Sequence, residues 1–163
     1  QRRGPLLFLG TIAAHKGPDL VVRAWRLAFP AGDPPLALHG PVQDARLALG
    51  HPLGPPLDRA GVARALSQAR ALVLGSRWPE NAPLVVLEAR AAGCPVIAPA
   101  LGGLPELVVP GRDGWLYPPG EVEALARAMS EAVATPLPGL PALPPTVEAQ
   151  VDHLLSLYRG LLR

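Results

Sequence analysis

The 163-residue sequence holds a single cysteine, a single lysine and very few aromatic residues. With Cys94 alone, no internal disulfide can form, and an intracellular, cytoplasmic location is the expectation. No cysteine pair exists to join His15, His39, His51 or His153, which themselves show no metal-ligand spacing, so no metal site is expected. Cys94 follows a helix and has no adjacent His, which suits a small buried hydrophobe better than a reactive thiol. Phe, Tyr and Trp together make up 4% of the chain. The pI is near 9.2, but the arginines are scattered, leaving neither a stacking platform nor a basic stripe for a nucleic acid. No apolar run approaches the roughly 20 residues of a membrane-spanning helix, and no signal-peptide pattern opens the sequence.

What is present is a globular composition, with 49% apolar and 17% charged residues and a formal charge of +2. This length suits one domain that buries roughly 70% of the surface its unfolded chain exposes. The opening QRRGP has the look of a linker, so a preceding segment in a parent protein is expected. Lys16 is the one lysine among fifteen basic residues, which singles it out in an arginine-biased sequence.

Short apolar strands alternate with helices along the chain. Strands are predicted at Pro5–Gly10, Pro35–Gly40, Ala71–Ser76, Cys94–Pro99 and Gly114–Pro119, with helices between them. Between Pro41 and Pro56 only one short strand, around Leu47–Leu49, can be placed. Asp58 is expected near an N-cap, and Pro83 and Gly93 bracket a helix in the usual order. The proline-rich stretch from Thr135 to Thr146 is expected to run extended, followed by an amphipathic helix starting at Thr146. The alternation predicts an α/β, Rossmann-like, doubly wound parallel sheet of about six strands flanked by helices, in a single domain. Ligands of such sheets bind beyond the carboxyl ends of the strands. Here those ends carry Gly10-Thr11, His39-Gly40, Gly75-Ser76-Arg77 and Pro99–Gly103.

The stretch WPENAPLVVLEARAAGCPV places Glu80 in a loop and Glu88 inside an apolar helix. At that helix's start the N–H groups of Leu84, Val85 and Val86 lack intrahelical partners, and the dipole favours an anion such as a diphosphate. Glu88, on what should be a mostly buried helix, could accept hydrogen bonds from a ribose diol, and Glu80 from a sugar beyond the phosphates. Each acid also has a plainer reading, Glu88 as a solvent-facing residue and Glu80 as an ordinary loop acid. The picture requires that Glu88 not face bulk water and that the helix tip be unobstructed. Lys16 lies just past the first strand, either as a cation for the diphosphate or as a solvated loop residue. The Gly102-Gly103 pair either donates N–H groups at the same rim or makes a tight turn. No P-loop and no G-x-G-x-x-G is present. His39 is the histidine expected nearest a ligand, and Arg77 and Trp78 sit at another strand end.

Together these segments resemble the C-terminal domain of family-4 retaining glycosyltransferases of GT-B fold. LFLGTIAAHKGPDLVVRAW is similar to that family's first strand, phosphate loop and helix, and SRWPENAPLVVLEARAAGCPVIAPALGGLPELV to its E-x7-E motif and the Gly-Gly-x-Pro-Glu segment. The resemblance implies that residues 1–163 form a nucleotide-sugar-binding domain, with UDP or another nucleoside diphosphate carrying the sugar and no cofactor. Glu80 and Lys16 would act in catalysis. Glu88, Glu80, Lys16, Asn81, Ala82, Leu84, Val85, Gly10, Thr11, Gly40 and Arg77 would contact the donor. It further implies hexosyl transfer, in glycan biosynthesis, to a glycan, lipid or small-molecule acceptor bound by a missing N-terminal domain, with the parent protein peripheral to a membrane. The isolated chain is then expected to bind donor weakly and not to turn over. Two departures stand out: Thr11 occupies the place of the family's usual Arg, for which Arg77 is the candidate substitute, and the segment from Pro41 to Pro56 is short. The competing readings are a non-catalytic nucleotide-binding or interaction module and a sugar-nucleotide epimerase.

Overall fold

The computed structural model describes residues 4–135, 137 and 147–161. Six parallel strands form one sheet in the order β3-β2-β1-β4-β5-β6. They are β1 (Leu6–Leu9), β2 (Leu36–His39), β3 (Leu53–Gly54), β4 (Ala71–Val73), β5 (Val96–Pro99) and β6 (Gly114–Tyr117). The crossovers use α1 (Pro18–Ala28), α2 (Arg59–Gln68), α3 (Leu84–Ala91) and α4 (Leu104–Leu107); α5 (Val122–Ala134) and α6 (Val147–Leu161) follow β6.

Strands this apolar must be covered on both faces. On one face Leu6, Phe8, Val73 and Ile97 pack with Leu20, Val21 and Ala24 of α1 and with Leu125 and Met129 of α5. On the other, Leu7, Leu72 and Val96 pack with Leu66 of α2 and with Val86 and Ala89 of α3. Cys94 is wholly buried in that second layer. The alternation of inward positions along β1 therefore divides its side chains between two cores.

The chain reverses direction at the centre of the sheet. β1 pairs with β2 on one side and with β4 on the other, both parallel. The loops after β1 and β4 therefore emerge side by side at the carboxyl edge. Gly17 and Gly75 let them touch: Gly17 has φ 61, and a Cβ on it would collide with the Gly75 carbonyl oxygen. Tyr117 ties a third strand to this edge, donating its buried hydroxyl to the Leu74 carbonyl at 2.7 Å, and burial pushes the phenol pKa up.

Most predicted elements stand close to their expected places, including the Asp58 N-cap, whose carboxylate accepts the Gly61 N–H at 2.7 Å. The segment after β2 differs. Ala45–Ala48 is a 3-10 turn capped by Asp44, and the strand is Leu53–Gly54 rather than Leu47–Leu49. A local Asp44 cap outweighs the weak apolar signal there, with Leu49 at φ 51 and Gly50 at φ 74 turning the chain. Apart from Thr135 and Leu137, the proline-rich stretch lies outside the described residues, as does Thr146. The helix α6 forms as predicted, but Val151, Leu154, Leu155 and Tyr158 on it are exposed. None of the described helices is long and apolar enough to cross a membrane.

Gly17 and Gly111 both have positive φ, but nothing lies within 4 Å of a Cβ built on Gly111. Gly111→Ala should therefore cost only the left-handed backbone penalty, about 1–2 kcal/mol. Gly17→Ala adds the collision with Gly75 and should lower the urea midpoint clearly more; equal losses would show that the two loops are not in contact.

Candidate functional site

Four loops meet at the carboxyl edge, and the backbone is close-set wherever they do. Beyond the formal strands, the Gly10 N–H donates to His39 O and Ile12 N–H to Pro41 O, extending the β1–β2 ladder into the rim. Gly40, buried at φ 151, has no room for a Cβ because the Gly10 carbonyl occupies that space. Gly10 and Thr11 are half-buried beside it. This explains Gly40 as a close strand approach, whatever it does for a ligand; a Cβ on Gly10 would meet only the Phe8 ring at an ordinary 3.7 Å, so packing does not demand glycine there.

The centre of the rim is an ion pair. Lys16 ends a 3-10 turn, Ala14–Lys16, which the left-handed Gly17 closes. Its ammonium donates to Glu80 Oε1 at 2.8 Å, and the buried Ser76 hydroxyl donates to the same oxygen at 2.7 Å. Burial pushes the Glu80 carboxyl up, but the bonds from Lys16 and Ser76 outweigh it and hold the group below the usual carboxylate range. The side chains of Lys16 and Glu80 remain 30% and 18% exposed, so the pair is reachable from solvent.

Glu80 is fixed from below by the next loop. The Gly103 N–H donates to Glu80 O at 2.7 Å, and Cβ atoms on Gly102 or Gly103 would run into the Glu80–Asn81 backbone. The Gly-Gly pair thus makes a tight turn (Gly102 φ 59) whose N–H braces the loop bearing Glu80. Asn81 and Ala82 follow it and are exposed.

Two spaces adjoin the pair. A hollow of about 560 Å³ is lined by His15, Lys16, Trp78, Pro79 and Glu80. A narrow slot of about 20 Å³ runs from Lys16 and Glu80 past Gly75 and Ser76 to Pro83 and Val85 at the start of α3. Trp78 is 69% exposed at the edge of the hollow. His15, which the sequence did not single out, stands here, whereas the His39 ring is held against the Pro55 carbonyl at 3.0 Å.

The tip of α3 is open, with Leu84 73% exposed. Val86 N–H donates to Pro83 O at 2.9 Å, so it is not one of the free donors expected from the sequence. Leu84 and Val85 N–H have no backbone acceptor among the described residues. Glu88 also departs from expectation: only Val86 and Ala89 of α3 are buried, and Glu88 is exposed. It lies four residues after Leu84, hence on the same open side, and helical side chains lean back toward the N-terminus. The condition that Glu88 not face bulk water is therefore not met, which counts against its ribose role; what remains is a reachable acid on the same open side as the helix tip.

Arg77 is engaged elsewhere. It donates through both terminal nitrogens to the two carboxylate oxygens of Asp19, at 2.8 and 2.7 Å, and to Ala14 O at 2.9 Å. Its bond to Asp19 raises its own pKa. The guanidinium therefore does not stand free as a second cation in place of Thr11. Asp19 and Ser76, the partners that organise this site, carried no sequence motif that marks them. No group of three or more His, Cys, Asp and Glu among the described residues could hold a metal ion.

The family described as glycosyl transferases group 1 matches residues 3–135. Across 96% of its length the chain is 34% identical to D-inositol 3-phosphate glycosyltransferase of Mycolicibacterium paratuberculosis, covering 40% of that protein. Among solved structures, sucrose-phosphate synthase from Thermosynechococcus elongatus superposes with a TM-score of 0.72 at 27% identity, over 99% of this chain and 46% of that one. Anabaena HepE, in complex with UDP and glucose, gives a TM-score of 0.64 at 25% identity, over 80% of this chain and 39% of HepE. The chain spans less than half the length of each of these relatives. An all-parallel, doubly wound sheet, an acid pair spaced E-x7-E at its carboxyl rim and a family match over most of the sequence have one reading: the chain belongs to the glycosyl transferases group 1.

Proposed function

We propose that this chain is the donor-binding half of a retaining glycosyltransferase and takes a nucleoside-diphosphate sugar at the rim between Lys16 and the tip of α3. The observation that carries this reading is the convergence of the Lys16 ammonium, the Glu80 carboxylate and the open start of α3 on one slot. The diphosphate accepts from Leu84 and Val85 N–H and from Lys16. Glu88, one turn along the same side, accepts from the ribose hydroxyls. Glu80 then faces the donor sugar and accepts from its hydroxyls, while Asn81 and Ala82 border the sugar. HepE, 25% identical, is described in complex with UDP and glucose, which favours uridine as the base here.

In the reaction, the bond from the anomeric carbon to the diphosphate breaks, and negative charge grows on the departing phosphate oxygen. Lys16 and the helix-end N–H groups are aimed where that charge appears. A lone ammonium and two N–H groups supply this stabilisation through fixed dipoles and charge, without a resident group. The acceptor, whether glycan, lipid or small molecule, would be held by sequence outside these 163 residues, in a protein working at the cytoplasmic side of a membrane. A non-catalytic nucleotide-binding module of the same fold is the competing reading, favoured by Thr11 and the occupied Arg77.

Isothermal titration of the chain with UDP should give binding that Glu88→Ala weakens by about tenfold or more, the loss of charge-assisted hydrogen bonds. Absence of binding to UDP, GDP and their sugars, both alone and after fusion to a matching N-terminal half, would overturn the donor-site reading. Lys16→Gln should weaken UDP by about tenfold or more while leaving uridine unchanged; equal effects on both would remove Lys16 from the diphosphate.

A further inference from the structure

The Lys16–Glu80 pair is held from behind by a second ion pair that the proposed chemistry does not use. Arg77 connects three places on the β1–α1 segment at once. Its backbone N–H donates to His15 O at 2.9 Å, its guanidinium donates to Ala14 O at 2.9 Å, and the guanidinium fork spans both oxygens of Asp19. Ala14 and His15 are two of the three residues of the turn that ends in Lys16, and Asp19 lies in the first turn of α1 just after it. On the other strand end, Arg77 directly follows Ser76 and precedes Glu80 by three positions, so one residue joins both partners of the catalytic pair.

We infer that Arg77 and Asp19 are positioning residues, which fix the Lys16 turn against the Glu80 loop so that the ammonium stands between the large hollow and the slot leading to the start of α3. Three features set this pair apart from an ordinary surface salt bridge. Its geometry is two-pronged, which fixes orientation as well as distance. Asp19 keeps only 15% of its side chain exposed, against 37% for Arg77. The other acid–base contact of Asp19, to Arg23 Nη2 at 3.1 Å, is an i,i+4 pair within α1 and holds nothing across the loops. Lysine at position 77 could replace the charge but not the fork, because an ammonium cannot present two parallel donors to one carboxylate and a third to Ala14 O.

The positioning role rests on the proposed donor site for its purpose, but its geometric content can be read without any ligand. Lys16 is the one lysine of the chain. Reductive methylation with carbon-13 formaldehyde therefore labels Lys16 and the α-amino group alone and keeps the ammonium charge. Glu80→Gln defines where the Lys16 methyl signal falls when the pair is broken. Arg77→Gln and Asp19→Asn, neither of which adds a lysine, should each move that signal to the same place. In the same samples UDP affinity should fall by about tenfold, the loss of a well-placed charged contact, with uridine affinity kept. Circular dichroism and the thermal midpoint identify a variant that fails to fold, and Asp19→Asn, which preserves side-chain shape, then decides the matter. A Lys16 signal that stays at the wild-type position in both variants while Glu80→Gln moves it would overturn the proposal. A wild-type protein that binds no nucleoside diphosphate, alone or fused to a matching N-terminal half, but whose Lys16 signal responds to Arg77→Gln would refute the donor site and leave the positioning role standing.

Discussion

A strand-end contact governs this molecule: the loops leaving β1 and β4 meet backbone to backbone at Gly17 and Gly75. That closeness follows from topology, because β1 and β4 are neighbours at the point where the strand order turns from one side to the other. The centre of the candidate site depends on it. Lys16 precedes Gly17, Ser76 follows Gly75, and Glu80 closes the loop that Ser76 begins. A side chain at either glycine would push the two loops apart and with them the Lys16–Glu80 bond. The sheet thus brings together residues 64 positions apart in sequence, and a hydrogen-bonded frame of Ser76, Arg77, Asp19 and Gly103 keeps them there.

The legible part of the sequence was the part written in periodicity and in backbone chemistry. Apolar runs of four to six residues gave the strands, Pro83 and Gly93 bracketed α3, and the alternation gave the doubly wound order. Glu80 and Lys16 could be placed at one rim because both follow predicted strands closely. Less legible was anything decided by tertiary contact. The segment after β2 has too few apolar residues to pattern, and its course is set by the Asp44 cap and the turn at Leu49 and Gly50. The neighbours of Glu88 suggested burial, yet the helix buries only Val86 and Ala89, because α3 lies over the sheet by one narrow side. Pairings such as Asp19 with Arg77 cannot be read at all, since nothing in the spacing of an acid in one helix and a base in a distant loop foretells a fork between them.

Arg77 shows how a charge count misleads. The resemblance that sets Thr11 at the place of an Arg asks for a substitute cation, and Arg77 lies at the right rim. Proximity to the rim is not availability. Both terminal nitrogens of Arg77 are engaged, and releasing them would leave Asp19, whose carboxyl Arg77 holds below the usual range against the upward push of burial, without its main counter-charge. An incoming diphosphate would have to compete with a carboxylate already placed at 2.7–2.8 Å on the fork.

Lys16 presents the opposite case. It too is paired, but with a single oxygen of Glu80 that Ser76 also serves, so the carboxylate keeps a hydrogen-bond donor when the ammonium turns away. The ammonium is a point charge on a flexible stem, without the planar geometry that locks a guanidinium to its partner. On the proposed donor reading, exchange of Lys16 from Glu80 to a diphosphate would break one bond and strand neither group, because the freed side of Glu80 would meet the sugar that arrives with the phosphates. The two ion pairs divide the work by their geometry: the forked one holds the loops, and the single-point one can be handed to a ligand.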